Sequence, residues 1–321
     1  MKILFTGQSV VPFPMIPKRS TLQRLALDSN HVIVQKLADR PDIVICMDWK
    51  RSSGRLISQA KSLGVPMMLV KGEPSIVILE HLDSAIDSMF NKVIELGRPN
   101  TEPLVKYPIN WNLDFFDNIE RLDRVVAVSA NKFSFVSGEM YSLRAEAYSK
   151  LDYLDLFGVG WERSFRQNVL KLAKELQIAV LASPRKLTSS CIGNLRIRPC
   201  NFLGPAEDKL ETLSRYKVSL VIENSAEFMS EKLIDSILAG TIPVYVGPQV
   251  EIFGIPKELV VSAEPNILSI QAALAKAHGM PYKEWHIRAK KWILEPGVKE
   301  SWASKHVIRL ILETAELAIK R

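Results

Sequence analysis

RYKVSLVIENSAEFMSEKLIDSILAGTIPVYVG, residues 215–247, is the stretch from which the fold is read. Its apolar run Val218–Ile222 is a buried strand that ends in Glu223, Asn224 and Ser225. In open α/β sheets the carboxyl ends of strands are where ligands bind. Ser230 is the expected N-cap of a helix whose residues Leu233, Ile234, Ile237 and Leu238 share one face, and Gly240 ends it. TIPVYVG, 241–247, is the next strand. Lys232 falls in the first helical turn, where the macrodipole opposes a cation by roughly 0.3–1 kcal/mol. Glu231 offsets this locally, and a bound phosphate would offset it better, because helix N-termini favour anions. From the residues alone, a solvated Glu–Lys pair opening an amphipathic helix is an equal reading.

The strand–helix alternation extends in both directions. RVVAVSA (124–130), YLDLFG (153–158) and KVSLVIE (217–223) are strands in the second half. Helices are expected at 138–151, 164–177, 231–239, 266–277 and 301–320. In the first half KILFT (2–6), DIVICM (42–47), VPMMLV (65–70) and NKVIEL (91–96) are strands, with a helix at 55–64. Residues 97–118 carry three prolines and no clear period, which suits a connector. The pattern predicts two α/β halves with parallel sheets, a first domain over 1–120 and a second over 121–321. The last helix either packs back on the protein itself or, with its apolar Val307, Ile308, Ile311, Leu312 and Ala315, docks on a membrane.

At 321 residues, 47% apolar and 24% charged, the chain has the composition of a soluble globular protein, which excludes global disorder. Three scattered cysteines, Cys46, Cys191 and Cys200, point to a reducing, cytoplasmic setting rather than a disulfide framework. No window approaches a transmembrane helix, and the N-terminus reads as a first strand rather than a signal peptide. The net charge of +7 suits an anionic partner such as a phosphorylated metabolite or a membrane surface, but no long basic tract stands out. Zinc, P-loop and Rossmann dinucleotide signatures are all missing.

Residues 215–247 resemble the donor-domain signature of glycosyltransferase family 10, the α1,3/4-fucosyltransferases and their bacterial relatives. The matching residues are Tyr216, Lys217, Leu220, Glu223, Asn224 and Ser225, then Glu231, Lys232 and Leu233, then Ala239, Gly240, Thr241, Pro243, Val244 and Gly247. The resemblance implies a GT-B fold, with two Rossmann-like domains facing a cleft, and an inverting transfer of fucose from GDP-fucose to a glycan hydroxyl. It implies that Glu231 contacts the ribose and Lys232 the phosphates. The family's tyrosine and Val-Thr before Glu-Lys are Phe228, Met229 and Ser230 here, so a hydroxyl contact to the nucleotide is missing. Residues 128–161 resemble the opening strand–helix–strand of the same domain. There Arg144 matches an arginine on the donor diphosphate, a task its planar fork suits. Ser129 and Asn131 stand at the same strand end, either at the ligand or as turn formers.

The candidate base is Glu73, in Gly72-Glu73-Pro74 after a strand, with Asp48 and Glu80 as rivals. No D-x-D tripeptide occurs, so metal-independent chemistry without a cofactor is expected, the nucleotide sugar being co-substrate. Arg185, Lys186, Arg196 and Arg198 either touch an acidic ligand or flank a solvated loop. The expected partners are a nucleotide-sugar donor and a glycan acceptor, with no nucleic acid. A GT-B enzyme for another nucleotide sugar and a non-catalytic nucleotide-sugar or polyanion-binding module remain as alternatives, since fold does not imply function.

Overall fold

The structure is a computed structural model; it describes residues 1–7, 31–109, 114–117, 120–182 and 189–319. In chain order the strands are β1 (Lys2–Gly7), β2 (Val32–Val34), β3 (Ile43–Met47), β4 (Met67–Lys71), β5 (Lys92–Glu95), β6 (Leu122–Val128), β7 (Leu154–Phe157), β8 (Tyr216–Ile222), β9 (Ile242–Val246) and β10 (Val261–Ser262). The α-helices are α1 (Gly54–Ser62), α2 (Ser84–Asp87), α3 (Tyr141–Lys150), α4 (Phe165–Ala182), α5 (Lys209–Ser214), α6 (Lys232–Leu238), α7 (Ile267–Gly279), α8 (Tyr282–Ile293), α9 (Val298–Trp302) and α10 (Ser304–Ile319). The chain divides into two compact units, Met1–Asn110 with Glu300–Arg321, and Trp111–Lys299.

The first unit holds a sheet in the order β2-β1-β3-β4-β5, every pairing parallel. Side chains alternate across a strand, and both faces are covered. Ile3, Phe5, Ile43, Ile45, Met68 and Val70 lie on the face packed by Val307, Ile308, Ile311, Leu312 and Ala315 of α10. Their neighbours Leu4, Val44, Met67 and Leu69 face the other way, against Ile57 and Ala60 of α1 and against Trp49 and Phe90. Burial on both faces is why the central strands are continuous apolar runs rather than alternating ones. The apolar stripe of α10 is thus covered by the protein's own sheet. Among the described residues no helix is long and apolar enough to cross a membrane.

The second unit holds a sheet in the order β10-β9-β8-β6-β7, again wholly parallel. Counted from its own first strand, each sheet runs second, first, third, fourth, fifth. The chain therefore reverses direction across the sheet between first and third strands, at β1/β3 and at β6/β8, and such switch points open a crevice at the strands' carboxyl ends. In α6 every residue from Leu233 to Leu238 is buried. Gly240, at φ +71°, ends the helix with its N–H on the Ile237 carbonyl, as expected of a left-handed glycine. Two short edge strands, β2 and β10, the helices α2, α5 and α8 and most of α9 lie outside the elements expected from the sequence.

Candidate functional site

At the β6/β8 switch point the loop after β6 begins with Ser129 and Asn131 and the loop after β8 with Glu223, Asn224 and Ser225. Ser129, Asn131, Glu223 and Asn224 are all less than a tenth exposed. Asn131 is committed to its loop: its side-chain amide donates to the Gly160 carbonyl (3.0 Å), and its own carbonyl accepts from Arg163 and Lys171. Gly158, at φ +144°, lets this loop close on the β6 end, because a Cβ there would lie 2.0 Å from the Ser129 carbonyl oxygen. Ser225 is half-buried and bridges to Glu139.

Glu223 is wholly buried, and its carboxylate organises the start of α6. It accepts from the Ser230 backbone N–H (3.0 Å) and from the Ser230 hydroxyl (2.7 Å), while Lys232 Nζ reaches both Ser230 Oγ (2.7 Å) and Glu223 Oε2 (3.3 Å). This corrects the capping expectation. Glu231 occupies the N-cap position without a side-chain capping bond; the Ser230 hydroxyl, one residue earlier, donates to Glu223, and its oxygen accepts from Lys232 Nζ at 2.7 Å while the Lys232 N–H is 3.5 Å away. Phe228 is 1% exposed and packs into the core. The Lys232 side chain remains one-fifth exposed at the helix start.

Glu231 is not the solvated partner of Lys232. Its carboxylate pairs with Lys209 of α5 (3.1 Å), and Lys209 also contacts Asp235, one turn further along α6 and fully buried. Burial disfavours the charge of Glu231, but Lys209 and then Lys232 more than offset it and bring its carboxyl down to about 2. Asp235 goes the other way. Burial, reinforced by the Glu231 charge, outweighs Lys209 and raises it to about 7. The folded protein therefore keeps a proton on Asp235 that the unfolded chain releases from about pH 4, so stability falls as pH rises from there to about 7. Asp235→Asn is expected to remove that slope. The difference in melting temperature between variant and wild type should grow in the variant's favour from pH 5 to pH 8, and a constant difference would show that Asp235 is ionised throughout.

Arg144 lies on the buried face of α3, over the Tyr141 ring at 5.1 Å. Its Nε and Nη2 donate to the Ile222 carbonyl (2.9 and 2.5 Å) and Nη2 to Asn224 Oδ1 (2.9 Å). The fork thus fastens the carboxyl end of β8, with the residue only 3% exposed. A cavity of about 20 Å³, room for one water, lies beneath the site and is lined by Ser129, Tyr148, Lys209, Ser219, Lys232 and Ser236. Lys209 and Asp235 went unread in the sequence. Asp235 was open to inference, since it follows Glu231 by four residues on one helix face. Lys209 was not, because only packing brings α5 to α6.

Glu73 belongs to the first unit, directly after the fully buried β4, and is half-buried. Of its rivals, Asp48 is 3% exposed and accepts the Gly72 and Glu73 N–H groups, while Glu80 lies in a short 3-10 turn. Arg185 and Lys186 fall outside the described residues, as does the Arg196 side chain; Arg198 is exposed and donates to the Arg163 carbonyl. Among the described residues no group of three or more His, Cys, Asp or Glu is arranged to hold a metal ion.

No family model matches the chain. A putative fucosyltransferase-like protein of Arabidopsis thaliana is 51% identical over 43 residues, which span 13% of this chain and only 8% of that relative. An alpha1,3-fucosyltransferase crystal structure superposes with a TM-score of 0.54 at 13% identity, covering 100% of this chain and 90% of the other. Anabaena Alr3699/HepE in complex with UDP gives 0.54 at 12% identity over 98% of this chain and 100% of that one. A glycosyltransferase from Rickettsia africae gives 0.53 at 12% identity, covering 100% and 99%. At such identities the likeness is one of fold. The chain is built as two parallel-sheet α/β units of five strands each, the architecture of GT-B glycosyltransferases.

Proposed function

We propose that this protein is a glycosyltransferase that transfers a sugar from a nucleotide-sugar donor to a glycan hydroxyl, with inversion and without a metal. The observation that carries the reading is the constellation at the β6/β8 switch point. There Lys232, its side chain one-fifth exposed, is held by a buried Glu223–Ser230 pair at the start of a helix, beside an ionised Glu231. Lys232 binds the diphosphate and stabilises the charge that develops on it as the sugar departs. Glu231 leaves Lys209 to bind the ribose hydroxyls, and Arg144 holds the strand end on which Asn224 is mounted. Glu73 accepts the proton of the acceptor hydroxyl as its oxygen attacks the anomeric carbon. The carbon–phosphate-oxygen bond breaks with its electron pair leaving on the diphosphate.

Fucose from GDP-fucose is the favoured donor. It is supported by the family resemblance of residues 215–247, by the short identity to the fucosyltransferase-like relative, and by a likeness of fold to an alpha1,3-fucosyltransferase solved with GDP (TM-score 0.52). A different nucleotide is the second reading, favoured by the buried Phe228 where the family has a hydroxyl and by a neighbour solved with UDP. Thermal unfolding in the presence of GDP, UDP and their sugars separates the two. One nucleotide at a concentration of 100 times its Kd should add about 2.7 kcal/mol of stability. Protection by GDP above UDP supports the first reading, the reverse order supports the second, and no protection by either removes both. Transfer should persist in EDTA, because protein cations occupy the place of the metal. Loss on chelation, restored by manganese or magnesium, would contradict the metal-independent mechanism.

A further inference from the structure

The loop that carries Glu73 is tied down by several side chains. Lys71, the last residue of β4, is 6% exposed and bridges Asp87 (2.7 Å) and Glu95 (3.0 Å). The next two N–H groups, of Gly72 and Glu73, converge on one oxygen of Asp48, Oδ1, at 2.8 and 3.2 Å. The Glu73 carbonyl lies 3.1 Å from His81 Nδ1. The Trp49 N–H donates to His81 Nε2 at 3.3 Å, so the ring proton sits on Nδ1 and is given to Glu73. His81 is itself 8% exposed, and burial lowers its pKa, which keeps the ring neutral in this role.

Asp48 stands at the end of β3, on the β1/β3 switch point of the first sheet. It is 3% exposed and holds φ +54°, a left-handed conformation uncommon outside glycine. A Cβ on Gly72 would lie 3.2 Å from Asp48 Oδ2, so the loop is packed directly on the carboxylate. A buried carboxyl group in a left-handed backbone that holds two amides of a neighbouring loop ties the placement of that loop to the end of β3.

We propose that Asp48 and His81 are positioning residues that fix the Lys71–Pro74 loop and thereby aim the Glu73 carboxylate at the acceptor hydroxyl. The inference rests on the assignment of Glu73 as base. Misplacing a catalytic group by about 1 Å costs on the order of 10²-fold in rate, which sets the expected size of the effect.

The test is a double-mutant cycle with nucleotide-sugar turnover, GDP affinity and thermal unfolding measured on each protein. Asp48→Ala should lower kcat by about 10²-fold and leave GDP affinity within about twofold, with Asp48→Asn recovering part of the loss through its remaining acceptor oxygen. His81→Asn, which keeps a donor near the Nδ1 position, should retain more activity than His81→Phe. In a Glu73→Gln background, Asp48→Ala should cost almost nothing further, because the residue acts through Glu73. An equal loss in both backgrounds, or unchanged turnover of Asp48→Ala while Glu73→Gln is impaired, overturns the positioning role and leaves the base in place. Full turnover of Glu73→Gln itself removes the base assignment, and this proposal with it. If Asp48→Ala does not fold, the cycle is carried by Asp48→Asn and His81→Asn.

Discussion

Glu73→Gln is expected to lower sugar transfer by roughly 10²–10⁴-fold while donor binding persists. An acceptor hydroxyl is a weak nucleophile near neutral pH, and an inverting displacement needs a carboxylate to take its proton in the transition state. The amide keeps the shape of the side chain and removes its basicity. Glu73 belongs to the first unit, whereas the residues proposed to bind the donor all belong to the second, so the two readouts are separable on one preparation. Turnover that is unchanged moves the role to another carboxylate. Turnover and GDP binding lost together would make Glu73 a structural residue.

Lys232→Ala is expected to reduce kcat/KM by about 10²–10³-fold, the usual scale for removing one group that stabilises developing charge. The substitution also strips the wholly buried Glu223 of its cation, although Ser230 continues to donate to it twice. Some stability is lost for that reason. The measurement is therefore steady-state kinetics on protein shown to be folded, at a temperature well below the variant's melting point. Near-native kcat/KM with the true donor would show that Lys232 serves Glu223 alone.

The central strands were legible because β3, β4, β8 and β9 are apolar runs buried on both faces, a pattern that survives any detail of packing. The edge strands β2 and β10 were not, since three and two residues carry no period. Helix α8 was present in the sequence as Trp285, Ala289 and Trp292 at helical spacing, but its stripe is diluted by five charged residues. In the site, Glu231 and Lys232 could be named from local sequence, because helix position and motif agree. Their partners could not be named. Adjacent residues suggested an ion pair between the two, yet each is claimed by a group from another element, Glu231 by Lys209 and Lys232 by Glu223. The contacts of Asp48 and His81 with the Glu73 backbone were hidden for the same reason: Asp48 lies 25 residues earlier at the end of a neighbouring strand, and His81 eight residues later in a 3-10 turn.

The central claim is that a nucleoside diphosphate sits at the carboxyl ends of β6 and β8, against the start of α6. The most direct measurement is a crystal structure of the protein saturated with GDP. The account expects the diphosphate within hydrogen-bonding distance of Lys232 Nζ and Glu231 turned from Lys209 onto the ribose hydroxyls. Nucleotide density elsewhere on the chain, with the Glu231–Lys209 pair intact, would contradict it.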